Sequence, residues 1–240
     1  MTTRSPGGRQ GEREALFTPR IGLDESGKGD YFGPLVAAAV AVLNGAVERQ
    51  LARMGVRDSK RVSDGSCLRL AAELAGMVPH EVVVIGPARY NELYARIRNV
   101  NRLLAWAHAR ALENLLARAP VGLVIADQFA SDPHRLAGAL MRRGTAVELR
   151  QAPRAEADLA VAAASILARA RFLEELERLS ERVGVKLPKG ATHVEPVARE
   201  LVERGGVELL GSVAKLHFAT TGRVAGDAGA PIHHTEEGAG

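Results

Sequence analysis

Cysteine is nearly missing from this chain: its 240 residues hold one, Cys67. A single thiol excludes a disulfide framework and any zinc cluster built on several cysteines. Long hydrophobic runs are missing as well, and none approaches the roughly 20 apolar residues that a membrane span requires. The opening MTTRSPGGRQGERE is polar and lacks the apolar stretch of a secretory signal. A large excess of one charge is also absent, with 32 basic against 28 acidic side chains and a net charge of +4. What is present, 46% hydrophobic and 25% charged residues, is the composition of an ordinary folded protein and rules out wholesale disorder. The length fits one domain with a sizeable core. A cytoplasmic protein without membrane contact is expected.

Lysine is the other scarcity. Only five of the 32 basic residues are Lys, and the arginine-dominated balance gives a pI near 9.6. Richness in Arg and Ala is consistent with the base composition of the coding genome and equally with a nucleic-acid footprint. The five lysines, Lys28, Lys60, Lys186, Lys189 and Lys215, each fall in a segment that stands out on other grounds. If Arg has replaced Lys wherever charge alone matters, these positions need a compact ammonium.

Residues 1–19 and 223–240 are rich in Gly and polar residues without periodicity, and disordered arms are expected there. Between them no linker or repeat interrupts 20–222, which reads as one domain. Ile21 to Asp24 begins an apolar run that breaks at Gly27-Lys28-Gly29 and resumes after Pro34 as LVAAAVAVL, a hairpin-like opening. A helix is predicted over Ser66–Gly76 and a strand over Glu81–Ile85, ended by Gly86-Pro87. A long helix from Val100 to Arg118 is capped by Asn99 or Asn101. Strands follow over Val121–Ala126, which delivers Asp127, and over Ala146–Leu149. Helices are predicted over Ala155–Arg182 and Val194–Arg204. Strands alternating with helices imply an α/β fold with a mixed central sheet and a helical C-terminal part.

Acids stand at three element ends: Asp24-Glu25, Asp127, and Glu156 with Asp158 in the first turn of the Ala-rich helix. An acid at a helix start has an obvious capping role. An acid on a buried strand, such as Asp24 or Asp127, is costly to desolvate unless a partner or a metal neutralises it. Strand-end acids joined by helix-start acids would form an oxygen cage suited to Mg²⁺ or Mn²⁺ rather than zinc. Adjacent strand residues point to opposite faces, so Glu25 joins Asp24 only if the strand breaks at the glycines. Those glycines have the spacing GxGxxxG and lead into Pro and a strand, which excludes a dinucleotide-binding loop. What remains is a turn whose amides and Lys28 can approach a sugar–phosphate backbone, or a plain hairpin turn.

Taken in order, these segments carry a resemblance. IGLDESGKGDYFGPLVAAAV resembles the opening active-site motif of the type 2 ribonucleases H, and its GDYFGP core is most similar to ribonuclease HIII. Asp58-Ser59-Lys60 resembles the DSK element of that family, and Tyr90-Asn91 with Asn99, Asn101 and Leu103-Leu104 its YN…N-N-LL stretch. Asp127-Gln128-Phe129 resembles the DQF element and AEADLAVAAASILAR the Ala-rich helix. LPKGA (187–191) and AKLHF (214–218) complete a series that spans about residues 20–222. Two departures stand out. Ribonucleases HIII carry a sizeable N-terminal substrate-binding domain, whereas about twenty residues precede the first motif here, and Arg154 occupies a position that is normally Lys.

The resemblance implies a ribonuclease H fold and a metal-dependent endonuclease cutting the RNA strand of an RNA/DNA hybrid, in replication and repair. Asp24, Glu25 and Asp127 match the first three metal-binding carboxylates. Glu156 matches the fourth, with Asp158 as the alternative. Gly27, Lys28 and Gly29 match the loop that reads the ribose 2′-hydroxyl, the group distinguishing RNA from DNA. Two Mg²⁺ or Mn²⁺ ions roughly 4 Å apart would activate water and stabilise the leaving 3′-oxygen, giving 5′-phosphate and 3′-hydroxyl ends. Ser59, Lys60, Lys189 and Lys215 are expected phosphate contacts and Tyr31 the expected stacking aromatic. A monomer without an obligate protein partner is expected. The alternatives are HII-like incision at single ribonucleotides in duplex DNA, a catalytically silent hybrid-binding module, or a DNA resolvase on the same fold.

Overall fold

The computed structural model describes residues 17–56, 62–127 and 134–226. The chain divides into two compact units interleaved in sequence. The first takes the chain up to Ser26, Val36–Val83 and Leu104–Arg171; the second takes Gly27–Leu35, Val84–Leu103 and the chain from Phe172. The predicted arms lie largely outside the described residues.

A five-stranded mixed sheet organises the first unit. Its strands are β1 (Arg20–Ser26), β2 (Leu35–Val42), β3 (His80–Ile85), β4 (Leu123–Asp127) and β5 (Glu148–Ala152), in the order β3-β2-β1-β4-β5. β1 and β2 run antiparallel, as a Gly-rich turn between two apolar runs requires, and β4 and β5 continue the sheet parallel to β1. β2, LVAAAVAV, is buried at every residue, the pattern of a strand covered on both faces.

Helices α1 (Gly45–Arg53), α2 (Asp64–Met77), α3 (Pro87–Ile97), α4 (Val100–Leu116), α5 (His134–Ala137) and α6 (Leu159–Val183) punctuate the strands. Period two separates the faces of β1. Ile21 and Leu23 join Ala39, Ala41, Val124 and Ala126 in a core that Ala111, Leu112, Leu115 and Leu116 of α4 close over. Gly22 points the other way, and a Cβ there would lie 2.2 Å from the backbone carbon of Ala160, at the start of α6. Only glycine lets that helix approach so closely.

In the second unit the chain forms α7 (Glu195–Gly211) and α8 (Ala219–Ala225) after α6. α7 is predicted to end at Arg204, and the backbone does leave helical angles at Gly205 and at Gly206, with φ 68° at Gly206, before the helix resumes to Gly211. Gly86-Pro87 ends β3 as expected but also starts α3, because proline at a first helical position loses no hydrogen bond. α1, also absent from the sequence reading, buries only Leu51 and starts at Asn44, whose side chain accepts from Val47 N at 3.0 Å. Among the described residues no helix is long and apolar enough to cross a membrane.

Candidate active site

Asp24 and Asp127 are brought together by sheet register. β1 and β4 are parallel neighbours, with Leu23 opposite Ala126. One residue further on, Asp24 and Asp127 stand on adjacent strands, on the face opposite the Leu23–Ala126 core. That is the α6 face, and Ser165 of α6 hydrogen-bonds the Asp24 carboxylate. Ala155 N donates to Asp127 Oδ1 at 3.2 Å, which ties the turn carrying Glu156 to the end of β4.

β1 ends at Ser26, immediately before the glycines. The Glu25 Oε2 accepts from Nε2 of His108 on α4 at 3.0 Å, with His108 1% exposed. The backbone couples Glu25 to Asp24, since Glu25 N donates to Asp24 Oδ1 at 2.8 Å. His108 and Ser165 escaped the sequence reading, although each is a polar residue on an otherwise apolar buried helix face, where burial demands a partner.

The Ala-rich helix begins later than predicted. Residues Ala155–Ala157 form a separate 3₁₀ turn, entered through Arg154 in the left-handed region at φ 60°. Asp158 then caps α6, its Oδ1 accepting from Ala160 N at 2.8 Å, and its Oδ2 pairs with Arg20 at 2.6 Å. Arg20 also binds Glu48. Asp158 is thus taken up by structural bonds, whereas Glu156 Oε2 is buried with no hydrogen-bond partner.

Burial, followed by the neighbouring charge of Glu25, pushes the Asp24 carboxyl up to about 7, while Ser165, the Glu25 amide and His108 pull it down. A carboxyl raised by burial and by the negative charge of Glu25 is a group whose charged form a cation would stabilise. The donors are all carboxylate oxygens, so the set fits a hard cation of the Mg²⁺ or Mn²⁺ kind. Among the described residues no three acidic or imidazole side chains already converge on one point as ligands. Asp24, Glu25 and Asp127 are turned to protein donors instead.

In the second unit, Gly27 has φ 88°, and a Cβ there would meet Pro34 O at 2.1 Å, so the turn itself requires glycine. Gly29 is exposed, with nothing within 4 Å of where its Cβ would be. Lys28 is half-buried and Lys189 exposed. Two expected substrate contacts are corrected. Lys215 is 0% exposed and donates from Nζ to the carbonyls of Asp30 and Gly33, both at 2.7 Å; burial pushes its ammonium down to about 7. Tyr31 is also 0% exposed, packs edge-on against Phe32 and Phe218, and places its hydroxyl 3.1 Å from that of Thr221. Neither presents a group to a phosphate or a base. Ser59 and Lys60 lie outside the described residues. Asn91 proves to be a structural clamp: Nδ2 donates to Gly211 O and Ala214 O, and Oδ1 accepts from Leu216 N, all within 3.0 Å.

Comparison with known proteins gives a consistent result. The profile of the ribonuclease HII family matches residues 21–221. Ribonuclease HIII of Chlamydia pneumoniae is 45% identical over 210 residues, covering 86% of this chain and 70% of that protein. Ribonuclease HIII of Protochlamydia amoebophila is 44% identical over 214 residues, covering 89% and 70%. Among solved structures, Bst-RNase HIII in complex with Mn²⁺ superposes with a TM-score of 0.79 at 34% identity, over 93% of this chain and 74% of that one. Ribonuclease H2 of Pyrococcus horikoshii shares the fold, with a TM-score of 0.73 at 23% identity over 86% and 97% of the two chains.

Proposed function

The chain belongs to the ribonuclease HII family and is a ribonuclease H, a nuclease that cleaves the RNA strand of RNA/DNA hybrids, and from that premise we propose that it does so as a metal-dependent endonuclease with HIII-like specificity. Asp24, Glu25, Asp127 and Glu156 would hold divalent ions, Mg²⁺ or Mn²⁺. The observation that carries this reading is the pairing of Asp24 and Asp127 on one face at adjacent strand ends, beside a turn whose Glu156 Oε2 is buried without a partner. The Mn²⁺ in the Bst-RNase HIII structure supports the choice of a divalent ion. When bound, two such ions supply a nucleophile at neutral pH and charge stabilisation at the leaving 3′-oxygen, leaving 5′-phosphate and 3′-hydroxyl ends.

The remaining work falls to the chain's own residues. Ser165 and the Glu25 amide orient Asp24, His108 orients Glu25, and Ala155 N orients Asp127. Gly27, Lys28 and Gly29 read the ribose 2′-hydroxyl; the open space at Gly29 lets a sugar–phosphate backbone approach the main chain. Lys189, and Lys60 with Ser59, contact phosphates. A cytoplasmic, monomeric enzyme serving replication and repair completes the reading.

Cleavage of three end-labelled duplexes, each with Mg²⁺, Mn²⁺ or EDTA, tests it. Metal-dependent cutting of a full RNA/DNA hybrid, with plain DNA and DNA carrying one ribonucleotide left intact, is expected. Cutting at the single ribonucleotide would transfer the enzyme to HII-like specificity. Binding without cutting in any metal would leave only a hybrid-binding module.

A further inference from the structure

A lysine with no exposed surface needs a reason, because a buried ammonium is costly unless its N–H groups are well satisfied. Lys215 meets that cost through main-chain carbonyls and the nearby Asp30 carboxylate. Its Nζ donates to Asp30 O and Gly33 O, both at 2.7 Å, and lies 5.9 Å from the centre of the Tyr90 ring. Two carbonyls three residues apart meet one nitrogen only if the chain between them curls around it. The same stretch is laced to its neighbours by backbone bonds. Lys215 N donates to Tyr31 O at 2.9 Å, Gly33 N to Val213 O at 2.9 Å, and Tyr31 N to Gly190 O at 2.8 Å. Gly190 N returns a bond to Asp30 Oδ1 at 2.6 Å. The curl therefore joins two segments expected to meet substrate: the glycine turn, which ends where Asp30 N reaches back to Gly27 O at 3.4 Å, and Lys189-Gly190.

We propose that Lys215 is a positioning residue for substrate discrimination: by gathering the Asp30 and Gly33 carbonyls it fixes the spacing between the Gly27–Gly29 turn and the Lys189–Gly190 turn, and so lets the protein tell ribose from deoxyribose. The proposal rests on the reading that the Gly27–Gly29 turn contacts substrate. A purely structural lysine would support stability and every ligand alike. A positioning lysine affects the ligand whose recognition needs the turn's amides in register, because a preorganised site loses affinity when its geometry is loosened.

The test is binding of one sequence as an RNA/DNA hybrid and as a DNA duplex, by fluorescence anisotropy in Ca²⁺, with thermal melting alongside. The parent is expected to prefer the hybrid. In Lys215→Met the hybrid Kd is expected to rise about tenfold while the DNA Kd stays within about twofold, so that discrimination collapses. Unchanged discrimination, or equal weakening of both duplexes, overturns the assignment. If Lys215→Met does not fold, Asp30→Ala decides. It leaves Lys215 and both carbonyls in place while removing the bond to Gly190 and a negative charge beside the Lys215 ammonium, and it is expected to lose discrimination in the same direction; retained discrimination overturns the proposal. A parent protein that binds both duplexes equally contradicts the underlying reading of the glycine turn rather than the role of Lys215.

Discussion

Replacing Asp24 with Asn separates two effects of its carboxylate. Cleavage of the hybrid is expected to fall about 10³-fold or more, as for other essential active-site groups. Stability of the metal-free protein moves the opposite way. The folded carboxyl titrates near 7 and the unfolded one near 3.8, so the folded state binds more protons between those values and loses stability as pH rises through that window. Asp24→Asn lacks that loss, and in EDTA it is expected to melt higher than the parent at pH 8 but not at pH 4. Glu156 and Asp158 divide in a similar way. Glu156→Gln should reduce cleavage by about 10²-fold or more with little change in melting, because its carboxylate makes no bond through Oε2. Asp158→Asn should retain most activity and lose about 1 kcal/mol of stability, because the amide oxygen still caps α6 while the ion pair with Arg20 loses its negative partner. Steady-state kinetics with thermal melts on both variants checks the ranking, and the reverse ranking moves the fourth ligand to Asp158. Gly29→Ala, at an open position, should fold normally and raise KM for the hybrid.

At the scale of elements, the sheet positions the site and close helix packing holds it. Gly22→Ala would drive a Cβ into the backbone of Ala160; a loss of about 3 kcal/mol or more in urea unfolding is expected, with cleavage falling as α6 and Ser165 move away from Asp24. β1 to β4 were legible because apolar runs punctuated by glycine or proline mark their own ends, whereas β5, expected over Ala146–Leu149, lies at Glu148–Ala152 because its ELRQA sequence carries little apolar signal; Asp24 and Asp127 stood out because an acid on an apolar run has no cheap structural use. α1 was not legible, since a helix burying only Leu51 carries almost no apolar signal. The delayed start of α6 was hidden because a 3₁₀ turn and a helical turn share their composition, and only the Asp158 cap separates them. Lys215 was misread for a related reason. Sequence shows a charge, but a lysine serving buried carbonyls looks the same as one serving a phosphate.

At the scale of the whole molecule, charge governs both stability and binding. Burial, with Lys215 nearby, pushes the His217 imidazole down to about 4 from 6.5. The unfolded chain therefore binds more protons between those values, and this histidine withdraws stability as pH falls from about 6.5 to 4. His217→Phe is expected to flatten that part of the stability–pH curve, the opposite change from the one expected at Asp24, and denaturant unfolding at pH 4.5 and pH 7 resolves the two. The basic balance, +4 net with Arg predominant, implies hybrid binding that weakens steeply with salt as counterions are released. In the proposed function Asp24 belongs to a cation site and Asp158 does not. Calorimetric titration of Mn²⁺ into the parent, Asp24→Asn and Asp158→Asn tests it in one series. Saturable binding to the parent and Asp158→Asn, weakened about tenfold or more in Asp24→Asn, is predicted; Mn²⁺ binding by Asp24→Asn as tight as that of the parent would contradict it.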